Sequence, residues 1–506
     1  MNQENRSRVV RAGAFVAGLL LSTMAWTAPP PPVTFNVNDN RDTAALIPGN
    51  GQCVTADGTC TLRAAVMQSN HYIVPVQINL PAGVYTLGAP KGSDGDDTGD
   101  LNLVSILNSP VLSIIGAGAA STIIDGNMTD GVFYIESDRT VYISGVTVRN
   151  GKASSSGGGI YNFGNLTLSD STLLANSAYF GGALENQGTA VVTRVAFNAN
   201  AANWGGGIYN QGSLSVSEST FSANTGDNGA GLATFSMTPA VFDLTTFSGN
   251  KVTAYGGAIY SGGVLTLDHS SLTGNEAVHD GGGIYNTSGT LQITRSTIAS
   301  GKAARGGGVF NSGSLFVINS TFSQNTSTGF GGAIGNLGTG NVYNSTIAFN
   351  TAGFGTGIAG FGGGIYNNPA GTFNVRNTIV AANYSPSNGF YDDCNGTLSS
   401  YGINRFVASA TAYCTVVQVG SGNHNGLVSF LELGQLKDNR GPTRTIALLP
   451  ISNTDVIDHG ESCLGPGGAG DLLTTDQRDR PRVVGTSCDI GAFEYDPGDL
   501  FFNGFQ

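Results

Sequence analysis

A glycine-rich signal of the Gly-Gly-x-aliphatic type recurs nine times along the chain, at steps of 24 to 31 residues. A second signal, Ser/Thr-apolar-x-x-Asn, follows within each repeat at nearly the same pitch. The first signal ends on Ile160, Leu184, Ile208, Leu232, Ile259, Ile284, Val309, Ile334 and Ile365, and the apolar residue of the second is Leu173, Phe197, Phe221, Phe247, Leu272, Ile298, Phe322, Ile347 and Ile379. Self-similarity at a fixed period predicts a solenoid, in which each repeat packs only on its neighbours.

Short alternating strands lie between the two signals, as in Leu166-Thr-Leu168 and Leu315-Phe-Val317. Alternation with a period of two is typical of half-buried strands, and the repeats carry no sustained helical period. A coil of 24 or 25 residues holds three short strands, whereas a repeat of two helices needs about 33 residues or more. The sequence therefore predicts an all-β fold, a parallel β-helix that is right-handed by the general rule for parallel crossovers.

Asparagines recur at fixed offsets from both signals. The first column is Asn162, Asn186, Asn210, Asn286, Asn311, Asn336 and Asn367, with Thr234 and Ser261 as interruptions, and the second is Asn176, Asn200, Asn224, Asn250, Asn275, Asn325 and Asn350, broken by Gly301. Stacked coils turn each column into a ladder of side-chain amides that bond to the coils above and below. In the ninth repeat we expect Asn383 to fall one residue late, because it lies four residues after Ile379.

Charged residues are scarce, at 11% of the chain against about a quarter in ordinary globular proteins. Residues 150–383 hold eight acids and seven bases, and two of the 17 prolines, Pro239 and Pro369. Few prolines are expected where strands must pair on both sides. The net charge of −12 argues against nucleic acid or anionic lipid as a partner.

The first 28 residues have the pattern of a secretory signal. Arg6, Arg8 and Arg11 precede the apolar stretch 14–26, and small residues follow at its end. An uncleaved membrane anchor is the alternative interpretation. Because no other segment is long enough to span a bilayer, we expect no transmembrane segment after signal removal, and an exported monomer.

Six cysteines lie outside the repeats. We interpret them as disulfides that close the two ends in an oxidising compartment. Fifteen pairings are possible, and the simplest joins neighbours as 53–60, 394–414 and 463–488, with Cys53, Cys60, Cys394, Cys414, Cys463 and Cys488 as the participants. A zinc site is the less favoured alternative, since the usual two-residue spacings and nearby histidines are missing.

The paired signals, as in Gly256-Gly-Ala-Ile259 and Phe221-Ser-Ala-Asn224, resemble the repeats of the chlamydial polymorphic outer-membrane proteins. The wider coil pattern resembles the pectin-lyase-like β-helix superfamily. Near the start, Cys60-Thr-Leu-Arg-Ala-Ala-Val66 is similar to the CSLREA motif, with Thr61 and Ala64 in place of its Ser and Glu. These resemblances imply a surface or secreted β-helix protein without established catalytic residues.

The C-terminal part is similar to the choice-of-anchor Q region of bacterial exported proteins. The residues that carry this resemblance are Leu436–Thr443, Asp476-Gln-Arg478 and Cys488–Glu494. The predicted organisation is a signal peptide at 1–28, a CSLREA-like cap at 33–75, the β-helix at 76–383, a choice-of-anchor Q-like region at 384–495 and a tail at 496–506. We expect 384–495 to add a few irregular, disulfide-closed coils and the second cap.

Two acids in adjacent coils make the strongest catalytic candidate. Asp243 and Asp268 each lie four residues before the second apolar signal, and Glu218 and His269 lie one position on. Stacked carboxylates of this kind bind Ca²⁺ or act as acid and base in polysaccharide-cleaving β-helix enzymes. A surface column of pairing charges is the favoured alternative, because no Lys or Arg shares the column of the two acids. No cofactor is predicted, apart from Ca²⁺ if these acids are functional.

Aromatic residues recur just before the glycine signal. They are Phe180, Trp204, Tyr255, Phe330 and Phe361, and the same position holds Asn228, Asp280 and Arg305 in other repeats. Aromatic faces spaced along a solenoid suit sugar rings or an apolar partner. A stack that merely covers the edge of the turn is the alternative interpretation. We take these five residues as the candidate binding stripe.

The acidic stretch 94–100 resembles half of a calcium loop, with Asp94, Asp96 and Thr98 at ligand spacing and Ser105 where a bidentate Glu is needed. A solvated acidic loop is the favoured interpretation.

The leading functional hypothesis is an adhesin or matrix-binding protein that binds an extracellular glycan or host protein, at the surface of a Gram-negative bacterium or outside it. A polysaccharide lyase or hydrolase on the same scaffold is the rival, and a structural envelope component is the third hypothesis.

Overall fold

The computed structural model describes residues 31–88, 99–105, 111–353, 361–386, 390–407, 414–419, 426–428, 431–449, 455–461, 463–466 and 471–498. Residues 32–506 belong to one compact unit. The predicted signal at 1–28 and the candidate calcium ligands Asp94, Asp96 and Thr98 lie outside the described residues.

Each full repeat forms one coil of four short strands. In the first such coil these are Ile160–Asn162, Asn165–Ser169, Thr172–Leu174 and Ser177–Phe180. Each strand pairs in parallel with its counterpart one coil away, for example Ile160 with Leu184 and Thr172 with Ala196. The fold is thus a parallel β-helix, as predicted. We number the four sheets in the order of these strands.

The strands of each sheet have the following bounds. The first sheet contains Leu101–Leu103, Phe133–Ile135, Ile160–Asn162, Leu184–Asn186, Ile208–Asn210, Leu232–Thr234, Ile259–Ser261, Ile284–Asn286, Val309–Asn311, Ile334–Asn336 and Ile365–Asn367. The second contains Val33–Asn36, Val76–Leu80, Leu112–Gly116, Thr140–Ser144, Asn165–Ser169, Thr189–Thr193, Ser213–Ser217, Ala240–Asp243, Val264–Asp268, Thr290–Thr294, Ser314–Ile318, Thr339–Tyr343, Thr372–Arg376 and Cys414–Gln418, and Cys394–Ser400 joins it to the first.

The third sheet contains Gly83–Thr86, Thr122–Asp125, Thr147–Arg149, Thr172–Leu174, Ala196–Asn198, Thr220–Ser222, Thr246–Ser248, Ser271–Thr273, Thr297–Ala299, Thr321–Ser323, Thr346–Ala348, Ile379–Ala381, Arg405–Val407 and Gly426–Val428. The fourth contains Ser177–Phe180, Ala201–Trp204, Thr225–Asn228, Lys251–Tyr255, Glu276–Ala277, Lys302–Ala303, Thr326–Ser327, Thr351–Ala352, Tyr384–Ser385 and Phe390–Tyr391. The expectation of three strands per coil was wrong, since fourth-sheet segments such as 177–180 lack apolar alternation and are ordered by pairing with neighbouring coils.

In the interior of the solenoid, residues of the same type lie directly above one another in successive coils. Phe197, Phe221 and Phe247 occupy the middle of successive third-sheet strands and are fully buried. Their rings stack at centroid distances of 4.4 and 4.6 Å. One continuous apolar core therefore runs through the coils, which is why the repeats tolerate so few charges.

Both predicted asparagine ladders are present. In the first, Asn162 Nδ2 donates to Asn186 Oδ1 at 2.7 Å. In the second, Asn176 Nδ2 donates to Asn200 Oδ1 at 3.1 Å. Where the first ladder meets Thr234, the hydroxyl takes over as acceptor. The amides thus satisfy one another inside turns that water does not reach.

The expectation for the ninth repeat was wrong. Val380, and not Ile379, pairs with Ile347 in the third sheet, so Asn383 lies three residues after the true core position. Asn350 Nδ2 accordingly donates to Asn383 Oδ1 at 2.9 Å, and the ladder continues. Ile379 takes the outward position, which ordinarily exposes a side chain, but here another part of the chain covers it.

The turn between the second and third strands has a left-handed residue in every coil. These residues are Asp170, Arg194, Glu218, Leu244, His269, Arg295, Asn319, Asn344 and Asn377, with φ between 42° and 54°. Left-handed backbone is uncommon for side chains other than Asn, Asp and Gly. Because the conformation repeats, these side chains form one column along the edge of the third sheet. We call it the turn column.

The N-terminal region builds onto the first coils. Val33–Asn36 pairs with Val76–Leu80 and extends the second sheet. The helix Leu62–Ser69 is buried throughout, and the Thr61 hydroxyl caps it by accepting from the Ala64 amide at 3.1 Å. A buried ion pair between Arg63 and Asp42 fastens the helix to the preceding loop.

In the C-terminal region, coil strands continue beyond the nine repeats through Gly426–Val428. The described residues of 431–498 then return along the third sheet. We call them the fold-back segment; it includes the antiparallel pair Leu433–Lys437 and Thr445–Leu448. Hydroxyls of the third sheet hold it: Thr321 donates to Gln477 Oε1 at 2.6 Å, and the Ala492 amide donates to Thr346 at 3.0 Å.

The turn column supplies a second row of contacts. The side-chain amides of Asn319, Asn344 and Asn377 donate to backbone carbonyls of the fold-back segment at 2.8, 3.1 and 2.9 Å. Ile379 packs with Ile490 and Phe493 in a small core of its own. The fold-back segment therefore covers the later coils on this side, and its described residues are not bonded to the third sheet of the first coils.

The three disulfides join neighbours as predicted, 53–60, 394–414 and 463–488. The first lies in the N-terminal region, and the second links two successive strands of the second sheet. The third lies inside the fold-back segment and does not close an end of the solenoid. The expectation that all of them close the ends was wrong for this pair, since the chain has already left the coils there.

Two buried acids of the fold-back segment make its attachment sensitive to pH. Burial, together with the nearby Asp489 carboxylate, raises the pKa of Glu494 to about 8, although Arg482 acts in the opposite direction. Burial likewise raises the pKa of Asp489 to about 6. The folded state thus binds protons more tightly than the unfolded state, and the associated stability, about 1.4 kcal/mol per pKa unit, is lost as pH rises through these values.

We expect the fold-back segment to melt at a lower temperature at pH 9 than at pH 5, by several degrees. Differential scanning fluorimetry across this range, combined with protease sensitivity of residues 431–498, measures the effect. Glu494→Gln should flatten the dependence because the amide does not titrate. A parent protein whose stability is constant or rises between pH 5 and 9 would contradict the expectation.

Candidate functional site

The predicted pair of acids is in register. Asp243 and Asp268 face each other across adjacent second-sheet strands. His269 lies beside both, with Nδ1 at 3.1 Å from Asp243 Oδ1 and 3.6 Å from Asp268 Oδ1. Glu218, the fourth member of the candidate group, is exposed, and its backbone amide donates to the Asp243 carbonyl.

Two further residues belong to this cluster. One of them, Arg295, was not expected from the sequence to contact the two acids. Arg295, the next residue of the turn column, donates to both carboxylate oxygens of Asp268, although it sits one position away from the column of the acids. Asp479 of the fold-back segment lies 3.0 Å from His269 Nε2 and 3.2 Å from Arg295 Nη1. The left-handed backbone of Arg295 directs its side chain toward Asp268. Comparing residues at equal positions in successive repeats did not predict this contact.

The arrangement fastens the fold-back segment to the coils. Both nitrogens of His269 face carboxylates, Nδ1 toward Asp243 and Nε2 toward Asp479, so both are engaged in contacts within the cluster. Ligand atoms of Asp243, Asp268 and His269 lie within 4.8 Å of one another and are the donors a cation would use. Such a cation would have to displace Arg295 from Asp268. Partly exposed ion pairs of this kind contribute about 1 kcal/mol or less each.

The candidate binding stripe forms a true column. Phe180 and Trp204 pair in adjacent coils at the end of the fourth sheet, and Phe330 bridges to Phe361. All five predicted residues are partly exposed. Asn228 and Tyr255 continue the column, and the Asp280–Arg305 ion pair interrupts it.

A second aromatic column runs alongside and was missed in the sequence. Its members are the outward-facing middle residues of the first sheet and their neighbours in the following turn: Tyr134, Tyr161, Phe163, Tyr209, Phe235, Tyr260, Tyr285, Phe310 and Tyr366. The signal was available, because the aliphatic residue that ends the glycine signal is followed by Tyr or Phe in six of the nine copies.

The two columns interlock. Phe180 packs on Tyr209 at a centroid distance of 4.8 Å, and Trp204 packs on Tyr260 at 5.1 Å. The contacts between Tyr255 and Tyr285 at 5.0 Å, and between Phe330 and Tyr366 at 4.9 Å, repeat the arrangement. We call the combined surface the aromatic band. Most of its ring pairs are edge-on or tilted, whereas Tyr285 with Phe310 and Phe330 with Phe361 and Tyr366 are stacked. Most of the rings keep part of their surface in water.

The band consists of three groups of touching rings. Tyr134, Tyr161 and Phe163 form the first, and the long central group runs from Phe180 to Phe310. The last group contains Phe330, Phe361 and Tyr366. The first break falls where a carboxylate, Glu185, takes the place of a tyrosine between Tyr161 and Tyr209.

Glu185 is buried, with 2% of its surface exposed. Gln187 Nε2 donates to Oε1 at 2.7 Å, while Oε2 has no hydrogen-bond partner of ordinary geometry. Burial raises the pKa of Glu185, although Gln187 and the nearby Ser156 hydroxyl favour its charged form. A buried carboxylate oxygen without a full hydrogen bond lowers the unfolding free energy of the protein when no ligand is bound.

Polar groups flank the band on the fourth sheet. Asp227 accepts hydrogen bonds from Asn203 and Thr253, one coil on either side, both at 2.6 Å. Where the fourth-sheet strands shorten to two residues, a shallow cleft of about 270 Å³ opens beside Glu276, Lys302 and Thr326. The outer surface here therefore offers ring faces next to hydrogen-bonding groups.

Comparison with known proteins finds a family whose repeats are similar to two segments of this chain. The Chlamydia polymorphic membrane protein repeat matches residues 244–262 and 319–336. A crystal structure of pectate lyase Pel9A aligns over 92% of this chain and 98% of its own, with 14% identity and a TM-score of 0.33. No curated protein matches the chain. Among the described residues, no helix is long and apolar enough to cross a membrane.

Proposed function

We propose that this chain is a secreted or surface-exposed β-helix protein that binds an extracellular glycan along the aromatic band, as an adhesin or matrix-binding protein without catalysis. The observation that carries the proposal is the interlocked double column of partly exposed rings. Aromatic rings offer flat apolar faces to the C–H faces of sugars, and the adjoining Asp227 and Asn203 offer hydrogen bonds to hydroxyls.

The repeat geometry suits a linear polymer. Successive coils are about 4.8 Å apart, so a glycan lying along the stack meets a similar contact at each coil. Weak contacts repeated on one rigid body add up to useful affinity without any single deep pocket. The shallow cleft near Lys302 agrees with such an extended mode of binding.

Export is supported by two independent features. The chlamydial repeats that match residues 244–262 and 319–336 belong to membrane proteins, and residues 1–28 have the pattern of a secretory signal. We therefore propose that the protein lies outside a Gram-negative cell or on its outer surface, and we expect it to be a monomer. The three disulfides suit an oxidising compartment.

A panel of insoluble polysaccharides tests the proposal. We expect the parent chain to be retained by at least one of them without cleavage. Retention should fall about fivefold or more in Trp204→Ala, and further in Trp204→Ala with Tyr255→Ala, since stacking on one ring is worth about 1 kcal/mol or more. Bound fraction and released oligosaccharides are measured in the same incubation.

Tyr142→Ala is the matched control, because Tyr142 is an exposed aromatic residue on the second sheet, outside the band. Retention that falls equally in the control variant would contradict the proposed face. Cleavage that is lost in Asp243→Asn with Asp268→Asn would instead support the lyase or hydrolase hypothesis. Absence of retention on every polysaccharide would favour a structural envelope component.

A further inference from the structure

The first break in the aromatic band brings a carboxylate together with aromatic rings. In the register of the first sheet, Glu185 lies directly between Tyr161 and Tyr209. Phe163 packs on Tyr161 at 4.5 Å, and Phe180 packs on Tyr209 at 4.8 Å. The carboxylate thus has aromatic pairs on both sides along the solenoid axis.

We infer that this break is a subsite for a cationic sugar, in which Glu185 Oε2 accepts a hydrogen bond from the ammonium group of a hexosamine unit. The inference rests on the proposed glycan-binding function and narrows its ligand to polymers that carry free amines. Oε2 is buried and has no hydrogen-bond partner of ordinary geometry, although the Ser156 hydroxyl lies near the carboxylate, so a bound ammonium group would supply the full hydrogen bond that this oxygen lacks.

The surrounding rings favour a cation over a neutral group. An ammonium ion is attracted to the faces of tyrosine and phenylalanine rings, and this attraction grows when water is excluded. A charge-assisted hydrogen bond to a carboxylate is roughly twice as strong as a neutral one. Tyr161 and Ser156, which lie beside Glu185, are partly exposed, so a ligand would reach the buried carboxylate from their side.

The net charge of the chain also favours a cationic ligand. Its net charge is −12, which attracts a polymer of protonated amines and repels an acidic one. In the first-sheet column from Tyr134 to Tyr366, Glu185 is the one acid, since its counterparts are Tyr, Phe, Ala or Gly. The carboxylate therefore distinguishes this coil from the others, and the preference for amines is expected at this coil.

Binding of short glucosamine oligosaccharides and of their N-acetylated counterparts to the full chain tests the inference. The two probes share the same sugar backbone and differ at the nitrogen, which is a charged ammonium group in the first and a larger, neutral acetamide in the second. We expect the parent to bind the glucosamine probe at least tenfold more tightly, and Glu185→Gln to weaken this probe about tenfold or more while leaving the acetylated probe unchanged. Isothermal titration near neutral pH measures both.

Asp170→Asn is the matched control, because it removes one negative charge from an exposed position in the turn column, outside the aromatic band. Equal weakening in the two variants would overturn the inference, since the effect would then come from net charge. Thermal stabilisation of the parent by the glucosamine probe alone gives a readout that does not depend on how the Glu185 variant folds. No stabilisation, or equal stabilisation by the acetylated probe, would also overturn it.

The same experiment separates this inference from the proposed function. Binding of both probes that is insensitive to Glu185→Gln but is lost in Trp204→Ala overturns the amine subsite and leaves the glycan-binding face intact. Binding that neither variant changes overturns both. Selective loss of the glucosamine probe in Glu185→Gln supports both.

Discussion

Replacing Asn200 with alanine is expected to lower the unfolding free energy of the protein by about 3 kcal/mol or more. Asn200 is fully buried in the second ladder. Its Oδ1 accepts from the Asn176 backbone amide at 2.9 Å and from Asn176 Nδ2 at 3.1 Å, and its Nδ2 donates to the Leu173 carbonyl at 3.0 Å. Alanine leaves these groups unmatched in the interior of the turn.

Urea denaturation followed by circular dichroism measures this loss. Asn198→Ala is the control, because Asn198 lies two residues earlier in the same coil and is exposed. We expect the control to change the unfolding free energy by less than about 0.5 kcal/mol. Equal midpoints for the two variants would mean that the ladders do not stabilise the coils, and would contradict the account of the turns given above.

Replacing Asp476 with alanine is expected to detach the fold-back segment while the coils remain folded. Asp476 and Arg478 form an ion pair in which both side chains are almost fully buried. Asp476 also accepts from the backbone amides of Arg478 at 2.7 Å and Glu494 at 3.0 Å. Removing one partner of a buried pair costs about 3–5 kcal/mol, which is large for a segment of this size.

Limited proteolysis with mass spectrometry locates the effect. Cuts should appear within 431–498 in Asp476→Ala, and residues 150–383 should stay resistant. Asp479→Asn is the control from the same segment, because Asp479 is exposed and asparagine tolerates its left-handed backbone. This change removes only the charge that faces His269 and Arg295. If both variants resisted the protease equally, the buried pair would not be what holds the segment in place.

The repeats could be predicted because the contacts of each residue involve only adjacent coils and recur from one coil to the next. A residue such as Asn200 has the same neighbours in every coil, so one offset predicts a whole ladder. The neighbour pairing of the cysteines followed from their distribution along the chain. The slip at Ile379 shows the limit of this method, since Ile379 and Val380 are both apolar and only pairing with Ile347 decides which one faces the core.

The fold-back segment could not be predicted in the same way. It has no repeat, and its contacts join residues far apart in the chain, such as Gln477 with Thr321. The ionic cluster depends on it as well, because Asp479 arrives from this segment and Arg295 turns toward Asp268 through its left-handed backbone. The second aromatic column could have been predicted, because Tyr or Phe follows the aliphatic residue of the glycine signal in six of the nine copies.

Tryptophan fluorescence tests the central claim most directly. The sequence contains two tryptophans, Trp26 and Trp204, so a chain produced without residues 1–28 reports on the aromatic band alone. Titration with a polysaccharide that retains the protein should change the emission of Trp204 in a saturable way, with the same midpoint as retention. Tight binding that leaves the Trp204 emission unchanged would place the ligand elsewhere and contradict the account.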